Sequence, residues 1–142
     1  MKGIYVLFLR VPFDLSIPIG GLGEVHFKRG FYAYVGSAMG GIEQRVRRHL
    51  KREKKLYWHI DYLLLRAVPY DIIVVETQER KECQLAEELS KKLPYIERFG
   101  CSDCKCKSHL FFSSDPSLLM REVHRGMKTI GLRGKEWKIA EG

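Results

Sequence analysis

Residues 31–50, FYAYVGSAMGGIEQRVRRHL, join a predicted strand to a predicted basic helix, and the rest of the chain is organised around this junction. Side chains alternate along a strand, so Tyr32 and Tyr34 share one face and the residues between them share the other. A glycine-rich corner ends the strand, and the helix that follows carries Arg45 and His49 on one face, beside its apolar stripe. The stretch therefore brings phenols, a guanidinium and an imidazole to one corner, which suits a site that holds and attacks a phosphate.

The remaining chain predicts short strands and helices on both sides of that junction. Strands are predicted over residues 3–10, 24–28, 71–76 and 110–113, a short extended piece at 16–19, and helices over 57–66, 81–93 and 116–126. Three antiparallel strands are expected before the first helix, and Asp115 is the predicted N-cap of the last one. Residues 128–142 are expected to form a tail or extended arm that packs through Trp137. The fold class is therefore α+β, with a small, mostly antiparallel central sheet flanked by helices and a C-terminal strand–helix extension.

Composition bounds the class of protein. A chain of 142 residues with 45% hydrophobic residues predicts one domain with a real core. The formal net charge of +8 favours an anionic partner, although the same charge could serve solubility alone. The sequence contains neither an apolar run long enough to cross a membrane nor a signal-peptide layout, so we expect a cytoplasmic protein with no membrane partner. Asparagine is absent while lysine and glutamate are plentiful, a composition that fits a thermophile.

Glu82 is the most informative single residue outside the opening stretch. In the helix predicted over residues 81–93, the apolar positions follow it by three, four, seven and eleven residues, so it lies at the N-terminal end of the buried stripe. A buried carboxylate needs a partner, because burial of an unpaired charge is costly. A divalent cation, an arginine or backbone N–H groups would serve, and a rim position that interacts with the helix dipole is the alternative.

Two short motifs, Gly3-Ile4-Tyr5 and Tyr34-Val35-Gly36, followed by an arginine in the next helix, resemble the GIY-YIG nuclease superfamily. The whole chain is more closely similar to the small archaeal Uri-superfamily proteins, a domain of unknown function that also occurs fused to endonuclease III. That closer resemblance is carried by the stretches YVGSA at 34–38, WHIDYLL at 58–64 and FGCSDCKCKSHL at 99–110. It implies a single GIY-YIG-like domain over residues 1–142, with a superfamily core over 1–95 and a family-specific C-terminal extension over 96–142.

The resemblance also implies metal-assisted hydrolysis of a phosphodiester in nucleic acid, with DNA as the expected partner. Tyr34 would activate or orient water with support from Tyr5, and Arg45 would neutralise the pentacovalent transition state. Glu82 would hold one Mg²⁺ or Mn²⁺ ion, since hard cations prefer carboxylate and water ligands. His49 lies where superfamily members often carry a tyrosine or histidine, and its ordinary pKa of about 6.5 would suit a general base.

The basic residues around the first helix predict the surface that nucleic acid would contact. The expected contact residues are Ser37, Arg48, Arg52, Lys54 and Lys55. The alternative for the basic run at 45–55 is a solvated helix end, stabilised by cations near the C-terminal dipole. Ser37 stands where some family nucleases carry a lysine, and the chain lacks the asparagine that many place beyond the metal glutamate. Asp103 or His109 could take the place of that asparagine.

Three of the four cysteines cluster close to a histidine. The cluster consists of Cys101, Cys104, Cys106 and His109. Its ligand types suit zinc, but four ligands from nine consecutive residues make a strained site, and the usual second pair is missing. We therefore favour small buried, reduced thiols packed beside a histidine over a zinc site. A further interpretation places Asp103 and His109 on a catalytic cleft, opposite Trp58, His59 and Asp61.

Three functions follow from these patterns. The first is an endonuclease, structure-specific or acting in DNA repair, to which a repair glycosylase could present damage. The second is a nucleic-acid-binding module that keeps the nuclease fold without its chemistry. The third is a zinc-stabilised interaction domain centred on residues 101–109. The oligomeric state does not follow from the sequence.

Overall fold

The computed structural model describes residues 1–137 and contains a five-stranded antiparallel sheet of order β6-β4-β1-β5-β7. The strands are β1 (Gly3–Val11), β2 (Leu15–Pro18), β3 (Glu24–Phe27), β4 (Gly30–Ala38), β5 (Val68–Glu76), β6 (Leu110–Ser113) and β7 (Lys135–Glu136). The helices are α1 (Ile42–Leu50), α2 (His59–Leu63), α3 (Glu82–Ser90) and α4 (Pro116–Thr129). The predicted α+β class, with an antiparallel sheet flanked by helices and a C-terminal strand and helix, is confirmed.

The two short motifs lie side by side at the centre of the sheet. β1 pairs antiparallel with β4, and the register sets Tyr5 opposite Gly36. A Cβ atom on Gly36 would lie 2.2 Å from Cζ of Tyr5, so the tyrosine ring packs over a position that only glycine leaves open. The glycine of the second motif therefore admits the tyrosine of the first.

Each face of the sheet carries its own hydrophobic core, as the predicted alternation requires. Tyr5, Leu7, Tyr32 and Tyr34 face one way and pack with α1, α2 and the β2–β3 hairpin. The intervening residues of the same strands face the other way and pack with α3 and α4. The sheet thus separates the basic helix α1 from α3, the helix that carries Glu82. Residues of the two helices can therefore approach each other only beyond the ends of the strands.

The first part of the chain differs from the prediction in strand number and in the length of one helix. Four strands, not three, precede α1, because the short extended piece predicted at residues 16–19 is a strand, β2, which pairs with β3 in a separate two-stranded sheet. The helix predicted over residues 57–66 is shorter and begins at His59. The backbone N–H groups of Tyr57 and Trp58 donate to the Asp61 carboxylate, at 2.9 and 2.8 Å, and this cap fixes where α2 starts.

The C-terminal part of the chain supplies both edge strands of the sheet, β6 and β7. β6 matches the predicted strand, and the Asp115 carboxylate accepts from the backbone N–H of Ser117 at 2.9 Å, which confirms the N-cap of α4. That helix continues to Thr129, beyond its predicted end. The arm predicted over residues 128–142 packs as expected at Trp137, whose backbone N–H donates to the Ile72 carbonyl at 2.8 Å, while residues 138–142 lie outside the described part. Within residues 1–137, no helix has the length and apolarity to cross a membrane.

Candidate functional site

A cleft of about 440 Å³ opens at the end of β4. The ladder between β4 and β6 ends at the pair Tyr34–Leu110, so within residues 1–137 no strand covers the last residues of β4 on that side. The cleft fills this gap and is bounded by α1, the start of α2, the start of α3 and the loop at 100–109, which we call the cysteine loop. Elements from both faces of the sheet therefore meet here.

Three predicted residues that are far apart in the chain line this cleft together. They are Tyr34 on β4, Arg45 on α1 and Glu82 at the first position of α3. Ser37, His59, Asp103, Cys104 and His109 also line it. The carboxylate of α3 is thus on the same side of the molecule as the tyrosine and the arginine, although the sheet separates their helices.

Arg45 is fixed against one wall of the cleft by two contacts. Its Nη1 donates to the carbonyl oxygen of Ser37 at 3.1 Å, and its Cζ lies 4.2 Å from the centre of the Trp58 ring. Cζ of Arg48 lies 4.1 Å from the same ring centre. Such cation–π contacts restrict both side chains, so Arg45 presents its charge to the cleft in one orientation.

Tyr5, Tyr34 and His49 form an aromatic cluster behind the cleft. Oη of Tyr5 and Nε2 of His49 are joined by a hydrogen bond of 2.6 Å, and both side chains are almost completely buried. The ring centres of Tyr5 and Tyr34 are 6.3 Å apart. Tyr34, which is 9% exposed, is the member of this cluster that lines the cleft. Tyr5 and His49 can therefore act on a substrate only through Tyr34 or Arg45.

Burial sets the protonation of this cluster. Burial, with a smaller effect of the nearby Lys54 ammonium, lowers the pKa of His49 to about 3, so the imidazole is neutral at pH 7. Burial raises the pKa of both Tyr5 and Tyr34, and these phenols keep their protons at neutral pH. The expectation that His49 is a base of ordinary pKa is therefore corrected, because burial makes its imidazole a much weaker base than a solvated one. Tyr34 is suited to orienting a water molecule by hydrogen bonding.

The neutral His49 predicts a specific loss of stability in acid. Its pKa is about 3 in the folded chain and about 6.5 in the unfolded chain, so only the unfolded state takes up the proton between these values. Its contribution is complete above about pH 6.5 and is lost as the pH falls towards about 3. Urea unfolding at about pH 7 and about pH 5 should show that the wild type loses roughly 1–2 kcal/mol more than His49→Gln.

An exposed histidine provides the control for that measurement. His26→Gln, on β3, makes the same substitution at an exposed position and is measured alongside. The other charged groups near His49 are Arg45, Arg48, Lys54 and Asp61. They remain in the variant, so the difference between the two slopes reports His49. Equal slopes for the wild type and His49→Gln would show that His49 is not held neutral by the fold.

Glu82 carries an unsatisfied polar atom. It is the first residue of α3 and is half-buried, and its Oε2 is buried with no hydrogen-bond partner among residues 1–137. A buried carboxylate oxygen without a partner is costly, so an external donor or cation is the physical expectation. Arg80 and Asp103 line the cleft with it. One or two carboxylates completed by water and a phosphate suit Mg²⁺ or Mn²⁺.

Two of the residues predicted to contact nucleic acid, Arg48 and Lys54, make contacts within the protein instead. Arg48 makes a bidentate ion pair with Asp61, at 2.7 and 2.8 Å, and the Asp61 side chain is fully buried. Asp61 therefore lies outside the cleft and fixes Arg48 and the start of α2. The ammonium of Lys54 donates to the carbonyls of Arg48 and His49 and caps the end of α1. Arg52 and Lys55 are exposed and remain available to an anionic partner.

His59 is held in one tautomer at the cleft wall. The N–H of Gly100 donates to its Nδ1 at 2.8 Å, so a neutral ring carries its proton on Nε2, which is 3.3 Å from Oγ of Ser102. Gly100 adopts a φ of +75°, a region that favours glycine, and a Cβ there would lie 3.2 Å from the Tyr34 ring. This glycine brings the cysteine loop close to the tyrosine.

Four possible metal ligands converge beside the cleft. They are Cys83, Cys104, Cys106 and His109, and one ligand atom of each lies within 4.8 Å of the others. This set could bind a metal ion, and three thiols with an imidazole fit zinc better than Mg²⁺ or Mn²⁺. The zinc site that the sequence offered only as the alternative differs at one position, because the buried Cys101 donates its S–H to the Phe99 carbonyl instead. Cys83 was not predicted; the only signal for it is that it follows Glu82 at the start of α3.

These features define a class of protein. It is a small α+β domain in which the tyrosine-bearing strand β4 ends in a cleft lined by an arginine and a glutamate, with a cysteine–histidine cluster beside it. The chain belongs to the family described as domain of unknown function DUF123, whose model matches residues 4–132. No curated protein and no solved structure matches the chain.

Proposed function

We propose that the protein is a metal-dependent endonuclease that hydrolyses phosphodiester bonds in nucleic acid, with DNA as the expected substrate. The observation that carries this proposal is the meeting of Tyr34, Arg45 and Glu82 in one cleft. They come from a strand and from helices on opposite faces of the sheet. A hydrophobic core does not need these three polar groups together, whereas phosphodiester hydrolysis needs a cation, a positioned water and stabilisation of negative charge.

Each residue has a distinct role in the proposed reaction. Arg45 binds the scissile phosphate and stabilises the charge that builds up on its oxygens in the transition state. The protonated Tyr34 hydroxyl orients the attacking water, and Tyr5 with His49 holds the tyrosine cluster in place. Glu82 is the residue that would hold Mg²⁺ or Mn²⁺, and its orphaned Oε2 fits this role. The bound ion would neutralise the leaving oxygen.

Binding of a longer nucleic acid would use the surface beside the cleft. Tyr57 is 76% exposed next to Trp58, and the exposed Arg52 and Lys55 lie in the same segment between α1 and α2. Aromatic and basic side chains together suit a nucleic-acid strand, because bases stack on the rings and phosphates pair with the cations. The same surface supports the second candidate, a binding module without hydrolysis.

A cleavage panel separates the two candidates. Wild-type protein is incubated with end-labelled single-stranded, duplex and branched DNA and with RNA, in Mg²⁺, in Mn²⁺ and in EDTA. Binding of the same substrates is measured in parallel in EDTA. The nuclease proposal expects products that require the divalent ion. Salt-sensitive binding without cleavage of any substrate would exclude the nuclease and support the binding module. Absence of both binding and cleavage would overturn both candidates.

A further inference from the structure

We propose that the protein contains one resident zinc ion, bound by Cys83, Cys104, Cys106 and His109, and that this ion is structural. It would join the first turn of α3 to the cysteine loop and so fix the wall of the cleft that carries Glu82. The proposal rests on the ligand cluster alone, and it stands whether or not the protein cleaves nucleic acid.

Two distances within the cluster are close to those of a tetrahedral zinc site, and all four ligand atoms lie within 4.8 Å of one another. Zinc–sulfur bonds of about 2.3 Å and zinc–nitrogen bonds of about 2.0 Å place neighbouring ligand atoms roughly 3.5–3.8 Å apart. Sγ of Cys104 lies 3.5 Å from Nε2 of His109, and Sγ of Cys83 lies 3.9 Å from the same nitrogen. The side chains thus need only small adjustments to accept the ion.

His109 has the orientation and tautomer that a metal ligand needs. Its Nδ1 lies 3.0 Å from the carbonyl oxygen of Val35, which can only accept a hydrogen bond. The proton of the neutral ring therefore lies on Nδ1, and the lone pair of Nε2 points at the thiols. A backbone carbonyl that holds the far nitrogen of a ligating histidine is a common second contact at zinc sites.

The cysteine loop is shaped so that its thiols reach α3. The guanidinium of Arg98 donates to the carbonyls of Cys101, Cys104 and Cys106, at 2.7, 3.1 and 2.9 Å. Arg98 thereby holds the backbone of the cysteine loop in a compact turn. Two of the three thiols of the loop, those of Cys104 and Cys106, lie close to the thiol of Cys83. The strain that argued against four ligands from consecutive residues disappears, because the fourth ligand comes from a helix more than twenty positions earlier.

The number of ligands decides the role of the ion. Four protein ligands fill a tetrahedral shell and leave no position for a water or a substrate, which is typical of structural rather than catalytic zinc. Glu82 directly precedes Cys83, and His109 lines the cleft. Zinc would therefore hold the glutamate in the cleft through the backbone of α3 without contacting the reaction.

The test compares Cys83→Ser with Cys101→Ser. Protein is purified without added metal, and its metals are measured by elemental analysis. We expect one zinc per chain in the wild type and in Cys101→Ser, because Cys101 is a buried loop cysteine outside the cluster, and a strong loss of zinc in Cys83→Ser. Iron in place of zinc, no metal, or equal zinc in both variants would overturn the proposal.

If Cys83→Ser fails to fold, two measurements on the wild type and one further variant still test the proposal. Cobalt added to chelator-treated wild type should give the thiolate charge-transfer and tetrahedral d–d bands of a cysteine-rich site, and added zinc should remove them. Chelation should lower the melting temperature of the wild type. Cys83→His should keep the ion, since histidine is also a zinc ligand. Octahedral cobalt bands, or a melting temperature that chelation does not change, would contradict a structural zinc.

Discussion

Replacing Arg45 by alanine is expected to lower the single-turnover rate of phosphodiester cleavage by about 10²–10³-fold. Arg45 is a positive charge that lines the cleft beside Tyr34, fixed by the Ser37 carbonyl and by the Trp58 ring. Its contribution is largest in the transition state, where negative charge accumulates on the phosphate. The measurement is product formation from end-labelled DNA with enzyme in excess, in Mn²⁺.

The neighbouring Arg47 provides the matched control. It lies on the same helix and is exposed, so Arg47→Ala removes an equal charge without touching the cleft and should retain the wild-type rate. Arg45→Lys keeps the charge but loses the planar guanidinium, and we expect an intermediate rate. Circular dichroism and the melting temperature establish that each variant is folded. A folded Arg45→Ala that cleaves as fast as Arg47→Ala would exclude Arg45 from the reaction.

Asp61→Ala should strongly destabilise the fold, lowering the free energy of unfolding by about 3–5 kcal/mol. The carboxylate is fully buried, pairs with both Nη atoms of Arg48 and accepts the N–H groups of Tyr57 and Trp58. Its removal leaves the Arg48 guanidinium without its counter-charge and two backbone N–H groups without an acceptor. Arg48 is partly exposed, so water can reach its guanidinium, and the lower end of the range is expected.

Urea unfolding at neutral pH measures this loss. Glu53→Ala removes an exposed carboxylate from the same segment and should change the free energy of unfolding by less than about 0.5 kcal/mol. Asp61→Asn keeps an acceptor for the backbone N–H groups and should fall between the two. A loss for Asp61→Ala as small as that for Glu53→Ala would mean that the ion pair contributes nothing to the start of α2.

The sequence determined the fold well because its local patterns agree with its tertiary structure. The alternation around Tyr34 predicted which side chains share a face, and the pattern of α1 predicted its buried stripe. The start of α4 followed from Asp115 and Pro116, which form a local cap. The start of the helix predicted over 57–66 was wrong because the backbone N–H groups of Tyr57 and Trp58 donate to the Asp61 carboxylate, a cap that hydrophobic periodicity does not reveal.

The candidate site was predictable only in part, for the same physical reason. The position of Glu82 on a helical stripe indicated a buried carboxylate, and the structure places it in the cleft. The burial of His49 was missed, since one helical turn does not reveal whether a ring at the edge of a stripe is solvated. The pairing of Cys83 with the cysteine loop was missed because it depends on how α3 crosses the sheet, which no spacing encodes.

The most direct test of the central claim is a Mn²⁺ titration of single-turnover DNA cleavage by the wild type and by Glu82→Gln. The variant keeps the size of the side chain and removes the charge that would hold the ion, and Glu87→Gln on the exposed side of α3 is its control. We predict that cleavage by the wild type and by Glu87→Gln rises with Mn²⁺, whereas Glu82→Gln binds DNA normally in EDTA and does not cleave it. Wild-type protein that cleaves no DNA at any Mn²⁺ concentration, or a Glu82→Gln that cleaves as the wild type does, would contradict a metal-dependent nuclease site in this cleft.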